Sequence, residues 1–325
     1  MEENSQNPSP IPLINPVLKS FLHIISLTGL YMICTILFYW LGITLVENVM
    51  GIQVQDKVAN QIFSDLDANS IMGMKILQLI ISAGSFIGTA LIFTRFFAKE
   101  DIKPFFGFTK VVPPAKTFIW VLVIAVAAIP VLNYIASLTE LIPFPQEFEE
   151  TAQKMQEASN TLQAGFLQAP TIGILLLNIL AIAIIPAIGE ELLFRGVYMQ
   201  LLYRVFKQRI HLAVFISAFL FSIMHGQYYN FFAILLMGLL FGYLYYWSGN
   251  IMVTIWAHFI NNGLAVLFSY LHQHNPDVAF LADDYSFPLP VILGCAAVAG
   301  VGIWQFYKTT QKYHPTLVTD EVEEE

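Results

Sequence analysis

Long apolar runs separated by short polar connections dominate this sequence. Most of the runs reach the roughly 20 apolar residues that an α-helix needs to cross a bilayer. The pattern therefore predicts an all-α fold, a polytopic helical membrane bundle of about eight transmembrane helices. The predicted spans are residues 21–46, 71–97, 117–141, 170–203, 208–226, 230–247, 250–271 and 287–308.

Composition agrees with a membrane protein. Of the 325 residues, 57% are hydrophobic and 12% are charged, against about 25% charged in ordinary soluble domains. The net charge of -8 and the absence of a basic patch exclude nucleic acid as a partner. Cys34 and Cys295 both fall inside predicted spans, so they indicate neither a disulfide framework nor a cysteine metal site.

Charge also predicts the domain organisation and the orientation. Residues 1–20 read as a disordered cytoplasmic N-terminus, 21–308 as the transmembrane bundle with its motif core at 185–265, and 309–325 as an acidic cytoplasmic tail. Lys and Arg collect in alternate connections, which favours both termini on the cytoplasmic side. These basic residues are Arg95, Lys99, Lys103, Lys110, Lys116, Arg204, Lys207, Arg209, Lys308 and Lys312.

Two connections have a character of their own. Residues 147–162 place Phe148, Ala152, Met155 and Leu162 at helical spacing, which predicts an amphipathic helix on the outer surface. The Pro104–Phe108 segment, flanked by Lys103 and Lys110, predicts an interfacial segment with its rings at headgroup level.

The fourth span contains charges that a membrane helix should avoid. Glu190 and Glu191 directly continue an apolar stretch, and Arg195 follows one turn later. Ionisable residues within a span are expensive and indicate function. Glu191 and Arg195 share a helical face and predict a structural ion pair. Glu190 lies about 100° further round and is free to point into the bundle.

Three polar side chains in other spans complete the constellation. His225 ends span five, one turn after Phe221, and His258 and Asn262 share one face of span seven. Counting residues from the span ends permits these groups to meet Glu190 but does not require it. A histidine or asparagine within a span more often makes a helix–helix hydrogen bond, and that interpretation stays open for each of them.

If the groups meet, they can hydrolyse an amide. A carboxylate shielded from bulk water can act as a general base. A carboxylate and two neutral imidazoles are also the ligand set of a catalytic zinc with an open position for water. Glu190, His225 and His258 are therefore the candidate ligands for zinc or another divalent metal. The Asn262 amide could donate a hydrogen bond to a developing oxyanion.

The three motifs together resemble a known family. Glu190-Glu-x-x-x-Arg195, Phe221-x-x-x-His225 and His258-x-x-x-Asn262 are similar, in that order, to the motifs of the CPBP intramembrane proteases. That family includes the type II CAAX prenyl endopeptidases and bacteriocin-processing or immunity-type (Abi-like) bacterial homologues. The resemblance covers spans four to seven, and the remaining spans match only in being hydrophobic.

The resemblance implies a role for each motif residue. Glu190 and His225 would activate the attacking water, with or without a metal. His258 and Asn262 would bind the metal or stabilise the oxyanion, while Glu191, Arg195 and Phe221 would support the site. It implies an intramembrane endopeptidase acting on a membrane-associated or lipidated protein or peptide, placed in a bacterial plasma membrane. It leaves the substrate, its prenylation and the oligomeric state undefined.

Two other classes of function fit the same residues. One is a non-enzymatic membrane scaffold, and the other is a transporter that uses Glu190, His225 and His258 as a proton relay. Two other intramembrane protease classes are excluded, because the sequence contains neither the HExxH motif of site-2-type metalloproteases nor the GxGD motif of aspartyl enzymes.

Overall fold

The computed structural model describes residues 15–55, 67–108, 113–143, 145–282 and 285–311. The predictions for residues 1–14, for the acidic tail beyond residue 311, and for Lys110 and the Phe148 side chain lie outside this description. The described chain is helical and contains no strand. Its main helices are α1 Pro16–Val49, α2 Ala68–Ala98, α3 Ala115–Thr139, α4 Gln146–Leu167, α5 Ile172–Val205, α6 Ile210–Met224, α7 Phe231–Ser248, α8 Ile251–His274 and α9 Leu289–Thr310.

The predicted all-α membrane fold is confirmed. Within the described residues, seven helices are long and apolar enough to cross a membrane, and α6 is a shorter apolar helix. The first span starts at Pro16 rather than at residue 21, because the Asn15 side chain caps the helix by accepting a hydrogen bond from the Val17 N–H. Pro16 suits this first position, since its missing N–H would have had no intrahelical partner.

Helix α6 is too short to cross on its own. Its 15 residues rise about 22 Å, against a hydrocarbon core of about 30 Å. Residues 225–230 form the α6–α7 tip, which connects these two helices. His225 is the first residue of this tip.

Helix α5 lies at the centre of the bundle and packs against α2, α6 and α8. A small residue makes the α2 contact possible. A Cβ added to Gly189 would lie 2.7 Å from the Phe86 Cβ and 3.4 Å from the Ile87 backbone nitrogen. Because the Phe86 Cβ and the Ile87 backbone cannot swing away, Gly189 sets the distance between α2 and the helix that carries both glutamates.

The Pro104–Phe108 segment is not the interfacial segment that its composition predicts. Phe105 and Phe106 are buried in the main core, and Phe108 is the one ring of the three that is exposed. Gly107 adopts φ 70°, and a Cβ there would lie 2.6 Å from the Gly249 carbonyl oxygen. The segment therefore turns inward and closes one end of the bundle, where its aromatic rings gain more from burial than from the headgroup layer.

The predicted amphipathic helix corresponds to α4, which extends over Gln146–Leu167. Ala152 is buried and Leu162 packs into a small cluster with α1 and α2, but Met155 is exposed. The apolar face is thus only partly used. Near its C-terminus α4 is anchored by the buried Lys75 of α2, whose Nζ donates to the Gln168 carbonyl at 2.7 Å. A cation suits this position, because the last carbonyls of a helix lack intrahelical donors.

The close α2–α5 contact gives a first prediction. Gly189→Ala should lower the free energy of unfolding by about 1–3 kcal/mol, the usual cost of overpacking a core. Gly173→Ala is the matched control on the same helix, because the nearest atom to its added Cβ is 3.9 Å away. Thermal unfolding in detergent measures both variants. If the two variants melt at the same temperature, α2 and α5 accommodate the added methyl group without loss of stability, and the prediction is wrong.

Candidate active site

The backbone of α5 is irregular around the two glutamates. An α-helical segment, Ile185–Glu191, lies between π-helical segments Ile179–Ile184 and Leu192–Tyr198. Pro186 has no N–H to donate to the Ile182 carbonyl one turn earlier. The Asn262 amide of α8 donates to that carbonyl instead, at 3.1 Å. A neighbouring helix thus supplies the donor that proline removes, and π-helical turns of this kind often occur at functional sites.

Glu191 and Arg195 form the ion pair that their spacing predicts. The Arg195 Nη1 donates to Glu191 Oε1 at 2.7 Å, and its Nη2 donates to the Gly238 carbonyl of α7 at 2.9 Å. Arg195 is only 1% exposed and Glu191 is fully buried. The guanidinium therefore connects α5 to α7 as well as neutralising Glu191.

Two phenylalanine rings enclose the guanidinium. The Arg195 Cζ lies 4.7 Å from the ring centroid of Phe221 and 5.3 Å from that of Phe241. A cation over an aromatic face is attracted by the ring quadrupole, most strongly where water is excluded. The same two rings contact the histidines: Phe221 lies 4.5 Å from the His225 ring, and Phe241 stacks on His258 at 5.3 Å.

His258 is fixed by the ion pair. Its Nδ1 donates a hydrogen bond to Glu191 Oε1 at 2.9 Å, and its side chain is 2% exposed. A carboxylate can only accept here, so the proton of the neutral ring is on Nδ1 and the Nε2 lone pair is free. Glu191 thus does more than the structural pairing that its sequence position predicts, because it also orients His258.

His225 is oriented in the same way by a different acceptor. Its Nδ1 donates to the Phe221 carbonyl one turn earlier, at 2.7 Å, which again leaves the Nε2 lone pair free. This bond explains the spacing of Phe221 and His225 in the sequence. The His225 side chain is 29% exposed, far more than His258. The site is therefore accessible from the side of the α6–α7 tip.

Both imidazoles present Nε2 to one oxygen of Glu190. The Oε2 atom lies 3.9 Å from His225 Nε2 and 3.8 Å from His258 Nε2. Glu190 is 14% exposed, and Oε2 is a buried oxygen without a hydrogen-bond partner among the described protein atoms. The structure thus brings together three side chains that lie up to 68 positions apart in the sequence.

The charges of this cluster do not balance. The two carboxylates of Glu190 and Glu191 face one guanidinium, that of Arg195. The excess negative charge lies against two imidazole nitrogens that can accept but not donate. Uncompensated charge is costly within a membrane. A bound cation at this position would supply the missing counter-charge.

The donor set suits a divalent metal, although its spacing is wide. Zinc with bonds of about 2.1 Å holds tetrahedral ligands about 3.3 Å apart, less than the 3.8 and 3.9 Å found here. Among the described residues, no group of three or more His, Cys, Asp or Glu lies close enough together to hold a metal ion with these side-chain positions. The side chains nevertheless have the chemistry that such an ion needs. Glu190 Oε2 has no hydrogen-bond partner, and each imidazole directs Nε2 at it while Nδ1 bonds to a second acceptor, Glu191 or the Phe221 carbonyl.

Other site residues lie where sequence reasoning did not place them. Asn262 makes no hydrogen bond to Glu190, His225 or His258. Its amide nitrogen donates to a carbonyl of the α5 backbone, and its amide oxygen accepts from the Asn261 side chain. The Gly238 carbonyl and the Phe241 ring carry no polar signal in the sequence.

The buried ion pair gives a second prediction. Arg195→Met should destabilise the protein by about 3–5 kcal/mol, because it leaves Glu191 charged and unpaired in the core. The double variant Glu191→Gln/Arg195→Met should recover part of that loss, since neither charge remains. Arg209→Met, at an exposed position, is the control. Melting in detergent measures stability, and activity lost at an unchanged melting temperature would instead place Arg195 against the substrate.

Comparison with known proteins locates the similarity in this region. Residues 172–264 match the family described as type II CAAX prenyl endopeptidase Rce1-like. The match runs from the start of α5 into α8 and includes every motif residue. No curated protein and no solved structure matches the chain. The resemblance that the three motifs predict is therefore confirmed, and residues 172–264 carry the sequence pattern of the Rce1-like type II CAAX prenyl endopeptidases.

Proposed function

We propose that this protein is an intramembrane endopeptidase that hydrolyses a peptide bond of a membrane-associated or lipidated protein. The observation that carries the proposal is the convergence of two imidazole Nε2 atoms on Glu190 Oε2 at 3.8 and 3.9 Å. The family match over the same helices supports it. A carboxylate beside two oriented imidazoles is the arrangement that general acid–base hydrolysis needs.

In this proposal Glu190 is the general base. Its Oε2 takes a proton from a water as the water oxygen attacks the carbonyl carbon of the substrate. Because this oxygen has no hydrogen-bond partner among the described residues, nothing in the protein competes with the water for it. His225 Nε2, which lies 3.9 Å from Glu190 Oε2 on the accessible side of the site, then takes this proton from Glu190 and passes it to the departing amine as the carbon–nitrogen bond breaks.

His258 has the complementary role of stabilising the oxyanion. Glu191 holds its Nδ1–H, and the carboxylate lowers the cost of a positive charge on the ring. In this role His258 first takes up a proton from solvent at its free Nε2, and the imidazolium then donates a hydrogen bond from Nε2–H to the tetrahedral oxygen. Asn262 takes part indirectly, by fixing the α5 backbone one turn before the Pro186–Glu190 segment. Glu191, Arg195 and Phe221 orient the rings.

A divalent cation would be held by Glu190, His225 and His258. Such an ion would act as a Lewis acid on the reacting oxygen. The Nδ1 hydrogen bonds of both rings to Glu191 and to the Phe221 carbonyl would then serve as second partners that keep the Nε2 atoms directed at the ion.

We also propose that both termini face the cytoplasm. The α2–α3 connection contacts the α7–α8 connection, where Gly107 lies against the Gly249 carbonyl, and the end of α5, where Gln200 donates to the Phe105 carbonyl. The end of α7 in turn contacts the C-terminal part of α9 through Trp247 and Tyr307, so these connections share one end of the bundle. Excess Lys and Arg mark the cytoplasmic side. The α6–α7 tip, and with it the accessible side of His225, would then face away from the cytoplasm.

Loss of the base gives a third prediction. Glu190→Gln should reduce cleavage at least about 100-fold, the usual contribution of a positioned acid–base group. The melting temperature should change little, because the described Glu190 carboxylate forms no close ion pair. Cleavage is measured by mapping new protein N-termini in membranes that contain either the native protein or the variant, which also identifies the substrate.

The control for that experiment is Glu157→Gln, which removes an exposed carboxylate from α4, outside the three motifs. A scaffold would give the same N-termini with every variant, and a transporter would lose proton-coupled flux without any change in N-termini. Native and Glu190→Gln proteins that produce identical N-termini would overturn the proposed function.

A further inference from the structure

Helix α7 contributes to the site although it carries none of the three motifs. The Gly238 carbonyl accepts a hydrogen bond from Arg195, and the ring of Phe241, three residues later, stacks on His258. Phe241 takes no part in the proposed proton transfers and has no polar atom in its side chain. Its role has to follow from what it does to His258.

A single hydrogen bond does not fix the orientation of an imidazole ring. The bond from His258 Nδ1 to Glu191 Oε1, at 2.9 Å, holds one atom of the ring. The last side-chain torsion of histidine has a broad energy profile, so the ring could still turn about this bond. Such a turn would carry Nε2 away from Glu190 Oε2, which lies 3.8 Å from it. A second constraint is therefore needed to fix the plane of the ring.

Phe241 supplies a constraint of this kind. Its ring centroid lies 5.3 Å from that of His258, with an angle of 29° between the two planes. In a close-packed core, a ring stacked in this way cannot turn without displacing its neighbour. Phe221, the other aromatic neighbour of His258, meets it nearly edge-on, at 6.0 Å and 82°. The stacked face of Phe241 thus opposes rotation of the imidazole more directly.

His225 has an equivalent pair of constraints, and both come from Phe221. The Phe221 carbonyl accepts from His225 Nδ1 at 2.7 Å, and the Phe221 ring lies 4.5 Å from the imidazole. Each site histidine therefore combines one acceptor for Nδ1 with one aromatic ring against its face. For His258 the two constraints come from different helices, the acceptor from α5 and the ring from α7.

The Phe241 ring is itself held in a fixed position. A Cβ on Gly238 would lie 3.0 Å from the Ala218 Cβ, and a Cβ on Gly242 would lie 2.8 Å from the Val214 Cγ1. Both contacts are with α6, so the α7 backbone on either side of Phe241 lies directly against that helix. The Phe241 side chain is 2% exposed and belongs to a core cluster with residues of α3, α8 and α9. The ring is thus a rigid surface.

The contact with Arg195 does not account for Phe241. The Arg195 Cζ lies 5.3 Å from the Phe241 centroid but 4.7 Å from that of Phe221. Without the Phe241 ring, the guanidinium would keep its nearer aromatic contact and both of its hydrogen bonds. His258, in contrast, would lose the ring that is stacked on it.

We propose that Phe241 is a positioning residue that fixes the plane of the His258 ring and so directs Nε2 at Glu190. It acts through His258 and contacts no reacting atom. Its importance for hydrolysis rests on the proposed function, because a group that stabilises an oxyanion has to be placed to within about 0.5 Å. The orientation of the ring is measurable without that function.

Histidine-selective nitrogen-15 NMR of the full-length protein in nanodiscs, at about pH 8 where free histidine is neutral, measures this orientation. The readout is the shift of the His258 Nε2 resonance that Glu190→Gln causes. In a Phe241→Leu background this shift should be mostly lost, while Nδ1 keeps its proton because Glu191 still accepts from it. The His225 response should not change, since Phe221 places that ring.

Phe306→Leu is the matched control. Phe306 is fully buried in the same core cluster as Phe241, but it packs near Trp247, towards the end of α7. Both variants remove a buried ring from one cluster, so their melting temperatures should fall to a similar extent, and only Phe241→Leu should uncouple His258 from Glu190. Phe241→Met, which fills the space without a planar face, repeats the test if the leucine variant does not fold.

Two results would show that Phe241 only fills the core and would overturn the proposal. One is a His258 response that is the same in the Phe241→Leu and native backgrounds. The other is a response that Phe306→Leu reduces as much as Phe241→Leu does. The absence of any His258 response in the native background would also overturn it, because the ring would then not be directed at Glu190.

Cleavage provides a second readout that depends on the proposed function. In membranes, Phe241→Leu should slow the appearance of new protein N-termini by about 10- to 100-fold, as expected for a misplaced group, and Phe306→Leu should not. Loss of the His258 response without any cleavage by the native protein would overturn the enzyme and leave the positioning role standing. An unchanged response together with slower cleavage would overturn the positioning role and leave the enzyme standing.

Discussion

The site depends on one buried ion pair. Glu191 and Arg195 remove two charges from water at the centre of the bundle, and their attraction alone does not repay that cost. The pair persists because each partner makes further bonds: Glu191 accepts from His258, and Arg195 donates to the Gly238 carbonyl. These bonds join α5, α7 and α8. The buried ion pair thus helps to determine the relative positions of the helices that carry the three motifs.

Orientation of the histidines follows from this constraint. The Glu191 carboxylate accepts a hydrogen bond from His258 Nδ1–H, and the Phe221 carbonyl accepts one from His225 Nδ1–H. Both rings are then left with Nε2 as the nitrogen that has no hydrogen-bond partner. Glu190, with no acceptor or donor of its own on α5, is the group towards which both atoms point. Glu190 and Glu191 belong to the same α-helical segment, Ile185–Glu191, and they point apart because adjacent residues of an α-helix lie about 100° from each other.

Periodicity and hydropathy were sufficient to predict the spans, because each apolar run must satisfy its backbone within one helix. The i, i+4 spacing likewise predicted the Glu191–Arg195 pair and the separate direction of Glu190. The inward turn of Phe105 and Phe106 was not predicted, because aromatic residues beside lysines have the same pattern whether they lie on a membrane surface or plug a bundle. Spacing alone also could not show that Asn262 bonds to the Ile182 carbonyl, or that α6 ends early enough to bring His225 within reach of Glu190.

The central claim is that His225 and His258 both direct a free Nε2 at Glu190. Histidine-selective nitrogen-15 NMR of the protein in nanodiscs, at about pH 8 where free histidine is neutral, tests it directly. The structure predicts that both rings carry their proton on Nδ1 and that both Nε2 resonances shift in the Glu190→Gln variant. Protons on Nε2 instead, or Nε2 resonances that do not respond to Glu190→Gln, would contradict the account.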